Sequence, residues 1–216
     1  MTAVTLPLGL PARTGSRTWP LLAASWRAVR PARLLLPAGA ALLLVAASWP
    51  WLDDGYAGLV LHGVTLLLAC AVALSCDDPG AEIVAATPLP RARRTLARLG
   101  AGLAVAVPVY AVAALVAEHR LPGLSSTAHL VEAVVVCLGA AAVGTGLRAL
   151  GRALPAYPAV LGTLLLMFGL YALPRGFGVI DPQPWGAPWE AALLRWAALA
   201  LLALTVLVTA LRDPAR

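Results

Sequence analysis

The sequence predicts an all-α integral membrane protein. It reads as six transmembrane helices, with a short amphipathic N-terminal interfacial helix ahead of the first and a short cytoplasmic helix between spans two and three. Three observations predict this. The composition is 61% apolar and only 12% charged, with a mean hydropathy of +0.85, too hydrophobic for a water-soluble domain. The apolar residues come in six runs near the roughly 20 residues that a helix needs to cross a bilayer core of about 30 Å. The arginines are spread unevenly between those runs, which sets an orientation.

Residues 1–19 are punctuated by Pro, Gly and Arg. They lack the apolar core of a cleaved signal peptide and read as a cytoplasmic tail. Over residues 20–33, Leu22, Trp26 and Val29 share one helical face, Arg27 and Arg30 lie towards its side, and Pro31 limits the segment. That pattern predicts a helix lying in the inner interface. The first span covers 34–51 and ends in Trp49 and Trp51, aromatic anchors for the far side. Asp53, Asp54 and Gly55 form a turn, and the second span returns over 57–76. His62, near its outer end, has no ionisable neighbour in sequence and reads as a packed or interfacial residue.

The third span covers 99–117 and holds Tyr110 and Pro108, whose missing N–H should kink or loosen the helix. An outer loop leads to the fourth span, 128–147. Glu132 stands one turn from its outer end, where snorkelling to water or a local pairing is the expected fate. Further along, Ala140 and Gly144, and Ala142 and Gly146, stand four apart, a face on which helix backbones approach closely. Tyr157 and Pro158 open the fifth span, 156–174. Residues 175–190 are too polar and too proline-rich to span, and Trp185 and Trp189 suit a headgroup level. The sixth span, 191–211, leads into a cytoplasmic tail, 212–216.

The formal net charge of +6 would suggest nucleic acid in a soluble protein. Here the arginines flank apolar spans, and no nucleic-acid partner is expected. Under this topology Arg13, Arg17, Arg27, Arg30, Arg33, Arg91, Arg93, Arg94, Arg98, Arg148, Arg152, Arg212 and Arg216 fall inside, and only Arg120, Arg175 and Arg195 outside. Both termini are therefore assigned to the cytoplasm. Cys70, Cys76 and Cys137 lie in or beside spans, with no Cys/His spacing suited to a disulfide framework or zinc, so free thiols and no metal are expected. All 16 basic residues are arginine, consistent with a bacterial, high-GC coding bias.

The long polar break from Asp77 to Arg98 carries the most readable pattern. Asp78 is placed to cap a short helix that begins at Pro79, and Glu82 lies in its first turns, where the helix dipole favours an acid. That helix is expected over 79–86. Pro88 disfavours helix at Thr87 and ends it, and Pro90 starts a second helix with Arg91, Arg94 and Arg98 on one side. A short helix held between two spans is a lever: a soluble partner that grips it moves both spans.

The run Asp77-Asp78-Pro79-Gly80-Ala81-Glu82, then Ala86-Thr87-Pro88 and Arg91, with Arg98 at the start of the next span, resembles the corresponding loop of ABC-2 type transporter permeases. Six spans, cytoplasmic termini and an interfacial helix are similar to that family as well. The resemblance implies that the loop holds a coupling helix docked on a separate ATP-binding cassette ATPase subunit. Asp78, Pro79, Glu82, Ile83, Thr87 and Pro88 would form that docking element, and Arg91, Arg94 and Arg98 would meet lipid headgroups or the ATPase surface. It further implies a second permease subunit, identical or related, in the cell membrane. ATP and Mg would sit on the partner ATPase, with no cofactor bound by this chain.

A Walker-type phosphate loop requires lysine, and the sequence has none, so hydrolysis of ATP would come from the partner. Mostly apolar spans suit export of an amphipathic or lipid-like substrate. The alternatives are a non-transporting membrane anchor or regulatory subunit and an integral membrane lipid-modifying enzyme. Chemistry on lipid headgroups needs clustered acids or histidines, and in sequence only Asp77, Asp78 and Glu82 cluster on the cytoplasmic side.

Overall fold

The computed structural model describes residues 31–54, 56–77, 91–121, 126–152, 154–172 and 187–212. Those residues form helices and no strand: α1 (Pro31–Ser48), a 3-10 turn (Trp49–Asp54), α2 (Ala57–Ser75), α3 (Arg91–Arg120), α4 (Ser126–Ala149), α5 (Ala156–Ala172) and α6 (Ala187–Leu211). Five of the helices, all but α5, are long and apolar enough to cross a membrane. The described part of the expected fifth span, α5, has 17 residues, about 25 Å at the α-helical rise, and residues 173 and 174 of that span lie outside the described residues. Residues 20–30 of the expected interfacial helix and the 79–86 helix lie outside the described residues, while 31–33 open α1.

The helix α2 is the pin of the bundle and the most deeply buried of the long helices. One side, with Leu61, Val64, Leu68 and Val72, packs with Val45 of α1 and Ala106, Tyr110 and Ala113 of α3. The other, with Ala69 and Ala73, joins Val136 and Ala140 of α4, Ala159 and Met167 of α5 and Trp196 of α6. In a membrane, lipid is as apolar as the helix surface, so close backbone approach and dispersion, more than the hydrophobic effect, hold such helices together. Glycine supplies that approach at two points. A Cβ on Gly144 would lie 2.7 Å from Cys76 Sγ, and one on Gly102 would lie 3.0 Å from Ser75 Oγ. The small-residue face expected on the fourth span is thus buried: Ala140 and Ala142 lie inside, Gly144 meets α2, and Gly146 meets Val206 of α6.

Several hydroxyl side chains inside the helices donate to carbonyls three or four residues back, Thr65 of α2 being an exception. Ser75 donates to Val72, Thr145 to Ala141 and Thr163 to Ala159, which satisfies them without a partner helix. Proline does not end the third span as a helix: α3 continues through Pro108. At the end of α4, Arg152 N–H donates to Leu147 O and Gly151 N–H to Arg148 O, with Gly151 at φ 86°. This is a Schellman stop, and glycine takes its left-handed residue without strain.

The contacts between ends give the helix directions. Arg33 near the start of α1, Arg98 of α3, Arg148 of α4 and the first residue of α5 all meet the end of α2 at Cys76 and Asp77. At the other end, Arg120 of α3 stacks 3.9 Å above the ring of Trp49, a cation–π contact. The arginines Arg33, Arg93, Arg94, Arg98, Arg148 and Arg152 therefore gather at one end of the bundle, and Arg120 stands at the other.

Candidate functional site

Two polar centres sit at opposite ends of α2. The first is Asp77, which immediately follows that helix and is 3% exposed. Its Oδ2 lies 3.2 Å from Arg33 Nη1, and its Oδ1 accepts from the backbone N–H of Ala156 at 2.9 Å. Because the carbonyl of Pro155 already accepts the N–H of Ala159, α5 begins at Ala156, and that N–H has no partner inside its own helix. A buried carboxylate at that point meets both the orphan donor and the positive end of the helix dipole.

Two further arginines complete the junction by donating to the backbone that ends α2. Arg98 Nη1 reaches Asp77 O at 3.5 Å, and Arg148 Nη1 reaches Cys76 O at 3.1 Å. Carbonyls that α2 leaves unpaired thus face guanidinium groups, the favourable arrangement for a helix C-terminus. One residue and its neighbour tie α2 to α1, α3, α4 and α5.

The residues expected to dock a partner fare differently. Asp78, Pro79, Glu82, Ile83, Thr87 and Pro88 lie outside the described residues, as do Leu22, Trp26, Arg27, Val29 and Arg30. Arg91 opens α3 and Arg94 is half-buried. Arg98 departs from the surface role expected of it: it is 6% exposed and bonds inside the protein. Its position about two turns inside the helix carries it under the end of α2.

The second centre was not legible as a site. His62 of α2, expected to pack without an ionisable partner, and Glu132 of α4, expected to snorkel or to pair locally, are 5% and 4% exposed, and Nδ1 of His62 lies 2.6 Å from Oε1 of Glu132. Glu132 therefore does not snorkel to water, because its other oxygen also faces inward. Oε2 lies 3.7 Å from Nδ1 of His129, which is 2% exposed. The two imidazole rings meet edge to face, with centroids 5.0 Å apart and planes at 78°.

Sequence reasoning missed His129. A signal was present: His129 and Glu132 are three apart, on one face of a helix, and stand about as far from their end of α4 as His62 does from the same end of α2. The three side chains form a group in which one ligating atom from each lies within 4.8 Å of the others. They can hold a proton between carboxylate and imidazole, or bind a cation with nitrogen and oxygen donors. The free thiols Cys70, Cys76 and Cys137 are not part of it.

His62 also lines a cavity of about 330 Å³ with Leu44, Leu59, Gly63, Met167 and Phe168. A larger apolar groove of about 440 Å³ runs between α3 and α4, lined by Leu103, Val107, Tyr110, Leu115, Leu130 and Val134. No protein-family model matches the chain, and no curated protein and no solved structure matches it.

Proposed function

We propose that this chain is the membrane-spanning permease subunit of an ATP-binding cassette transporter of the ABC-2 type, coupled through residues 77–98 to a separate ATPase. The single observation that supports this most is the junction at Asp77. It sits at the mouth of the 78–90 segment, and its bonds reach Arg33, Arg98 and Ala156, while Arg148 bonds the carbonyl beside it. A force applied to that segment acts first on a joint shared by five helices. A loop that served only to keep topology would have no need of such a joint.

The arginine-rich end, where the segment emerges, is the cytoplasmic end under the positive-inside rule. The groove between α3 and α4 has apolar walls, which supports an amphipathic or lipid-like cargo. Two permease subunits and two ATPase subunits would make the working assembly in the plasma membrane, with ATP and Mg on the ATPases.

The test is co-expression with a cassette ATPase, purification of the complex and measurement of ATP hydrolysis in lipid vesicles. The permease reading expects hydrolysis that depends on this chain and cargo movement that depends on ATP. A complex that hydrolyses ATP without moving any lipid or amphiphile would make the chain an anchor or regulatory subunit instead.

A further inference from the structure

We propose that His62, His129 and Glu132 form a binding site for one divalent transition-metal ion of the zinc class, with three protein ligands and an open fourth position. The inference stands apart from the transport reading and needs neither ATP nor a partner.

The donor set comes first. Two imidazoles and one carboxylate suit zinc and its neighbours in the first transition row, whereas calcium and magnesium take oxygen ligands and copper(I) prefers sulfur. Three such ligands plus one exchangeable position is the common arrangement at zinc sites that are not purely structural.

Geometry comes second. With metal–ligand bonds of about 2.0–2.2 Å, tetrahedral ligands stand roughly 3.3–3.5 Å apart. The contacts to Glu132 are 2.6 Å from His62 to Oε1 and 3.7 Å from His129 to Oε2, both near that value although they reach the two oxygens of one carboxylate. All three ligating atoms already lie within 4.8 Å of one another, so small side-chain rotations suffice to close on an ion. Rings crossed at 78° approach one centre from different directions. Stacked rings could not.

A third observation concerns His129. Its Nε2 makes no hydrogen bond among the described residues, and its Nδ1 lies 3.7 Å from the nearest carboxylate oxygen, beyond hydrogen-bond length. A buried polar group in that condition is costly. A hydrogen bond between His62 and Glu132 alone leaves the second imidazole without a hydrogen-bond partner among the described residues. Coordination gives it a partner. The helix supports the site too, since His129 and Glu132 project from one face of α4 and His62 from α2, which α4 packs against through Gly144. An ion would bridge the two helices near the end opposite Asp77.

The experiment uses the full chain purified in detergent, stripped with a chelator and titrated with Zn²⁺ or Co²⁺, with the bound metal measured by elemental analysis. The expected result is one ion per chain and, for Co²⁺, the visible absorption of a four-coordinate site. His129→Ala, His62→Ala and Glu132→Gln should each weaken binding by more than about tenfold, since changes even beyond the direct ligands reach that scale. Glu132→Gln keeps the shape of the side chain, so it serves if a histidine variant fails to fold; helix content by circular dichroism identifies that case. Absence of stoichiometric metal in the wild-type chain overturns the proposal. So does binding that stays unchanged in correctly folded Glu132→Gln.

Discussion

The carboxylate of Asp77 accepts the backbone N–H of Ala156 at 2.9 Å, although the two residues are 79 positions apart. It is the bond by which the end of α2 also becomes the start of α5. Arg33 holds the other carboxylate oxygen at 3.2 Å, so removing the side chain leaves an uncapped helix and an arginine without its acid.

Asp77→Ala is therefore expected to destabilise the folded bundle by about 2 kcal/mol. A buried pair broken on one side costs about 3–5 kcal/mol, but the Arg33 side chain is 34% exposed and solvent screens it. Loss of the cap adds about 1 kcal/mol. Asp77→Asn keeps an oxygen for the Ala156 N–H and should lose less. Unfolding in detergent, followed by circular dichroism, ranks the two; equal losses would mean that the backbone bond contributes nothing.

Packing of α4 on α2 makes a sharper pair. A Cβ on Gly144 would stand 2.7 Å from Cys76 Sγ and 2.9 Å from its Cβ, while nothing lies within 4 Å of one on Gly139. Gly144→Ala should cost about 1–3 kcal/mol by overpacking, and Gly139→Ala should stay within about 1 kcal/mol of the parent. Thermal melts of the two variants in the same detergent provide the comparison.

Orientation can be read chemically. Leu150, just past α4 at the arginine-rich end, is 82% exposed, and Tyr56, at the other end, is 54% exposed. In a chain whose three native cysteines are replaced by alanine, Tyr56→Cys should react in intact cells with a maleimide that cannot cross membranes. Leu150→Cys should react only after the cells are opened. The reverse result would place the 78–90 segment outside and end the coupling proposal.

Much of the fold was legible because long apolar runs leave the backbone few choices in a membrane. The expected second span, 57–76, and the helix Ala57–Ser75 nearly coincide, and the fourth, 128–147, sits inside Ser126–Ala149. The helix expected after Pro90 is continuous with the third span, 99–117, and the one helix Arg91–Arg120 runs a turn beyond the apolar run, where Glu118, His119 and Arg120 still continue it. The site was harder. His62 and Glu132 are 70 residues apart, and no local pattern reports a contact made only when α2 and α4 pack. Asp77 looked like the first residue of a polar loop, and only the approach of Arg33 and α5 turns it inward.

The claim that the 77–98 segment transmits work rests most directly on one substitution. Glu82→Arg reverses a charge in the segment expected to meet the ATPase and leaves the Asp77 junction intact. In vesicles containing the complete transporter, with ATP hydrolysis and outward movement of a labelled lipid measured together, hydrolysis should persist while lipid movement falls to background. Lipid movement at the wild-type rate, with the variant fully inserted and the ATPase bound, would contradict the account.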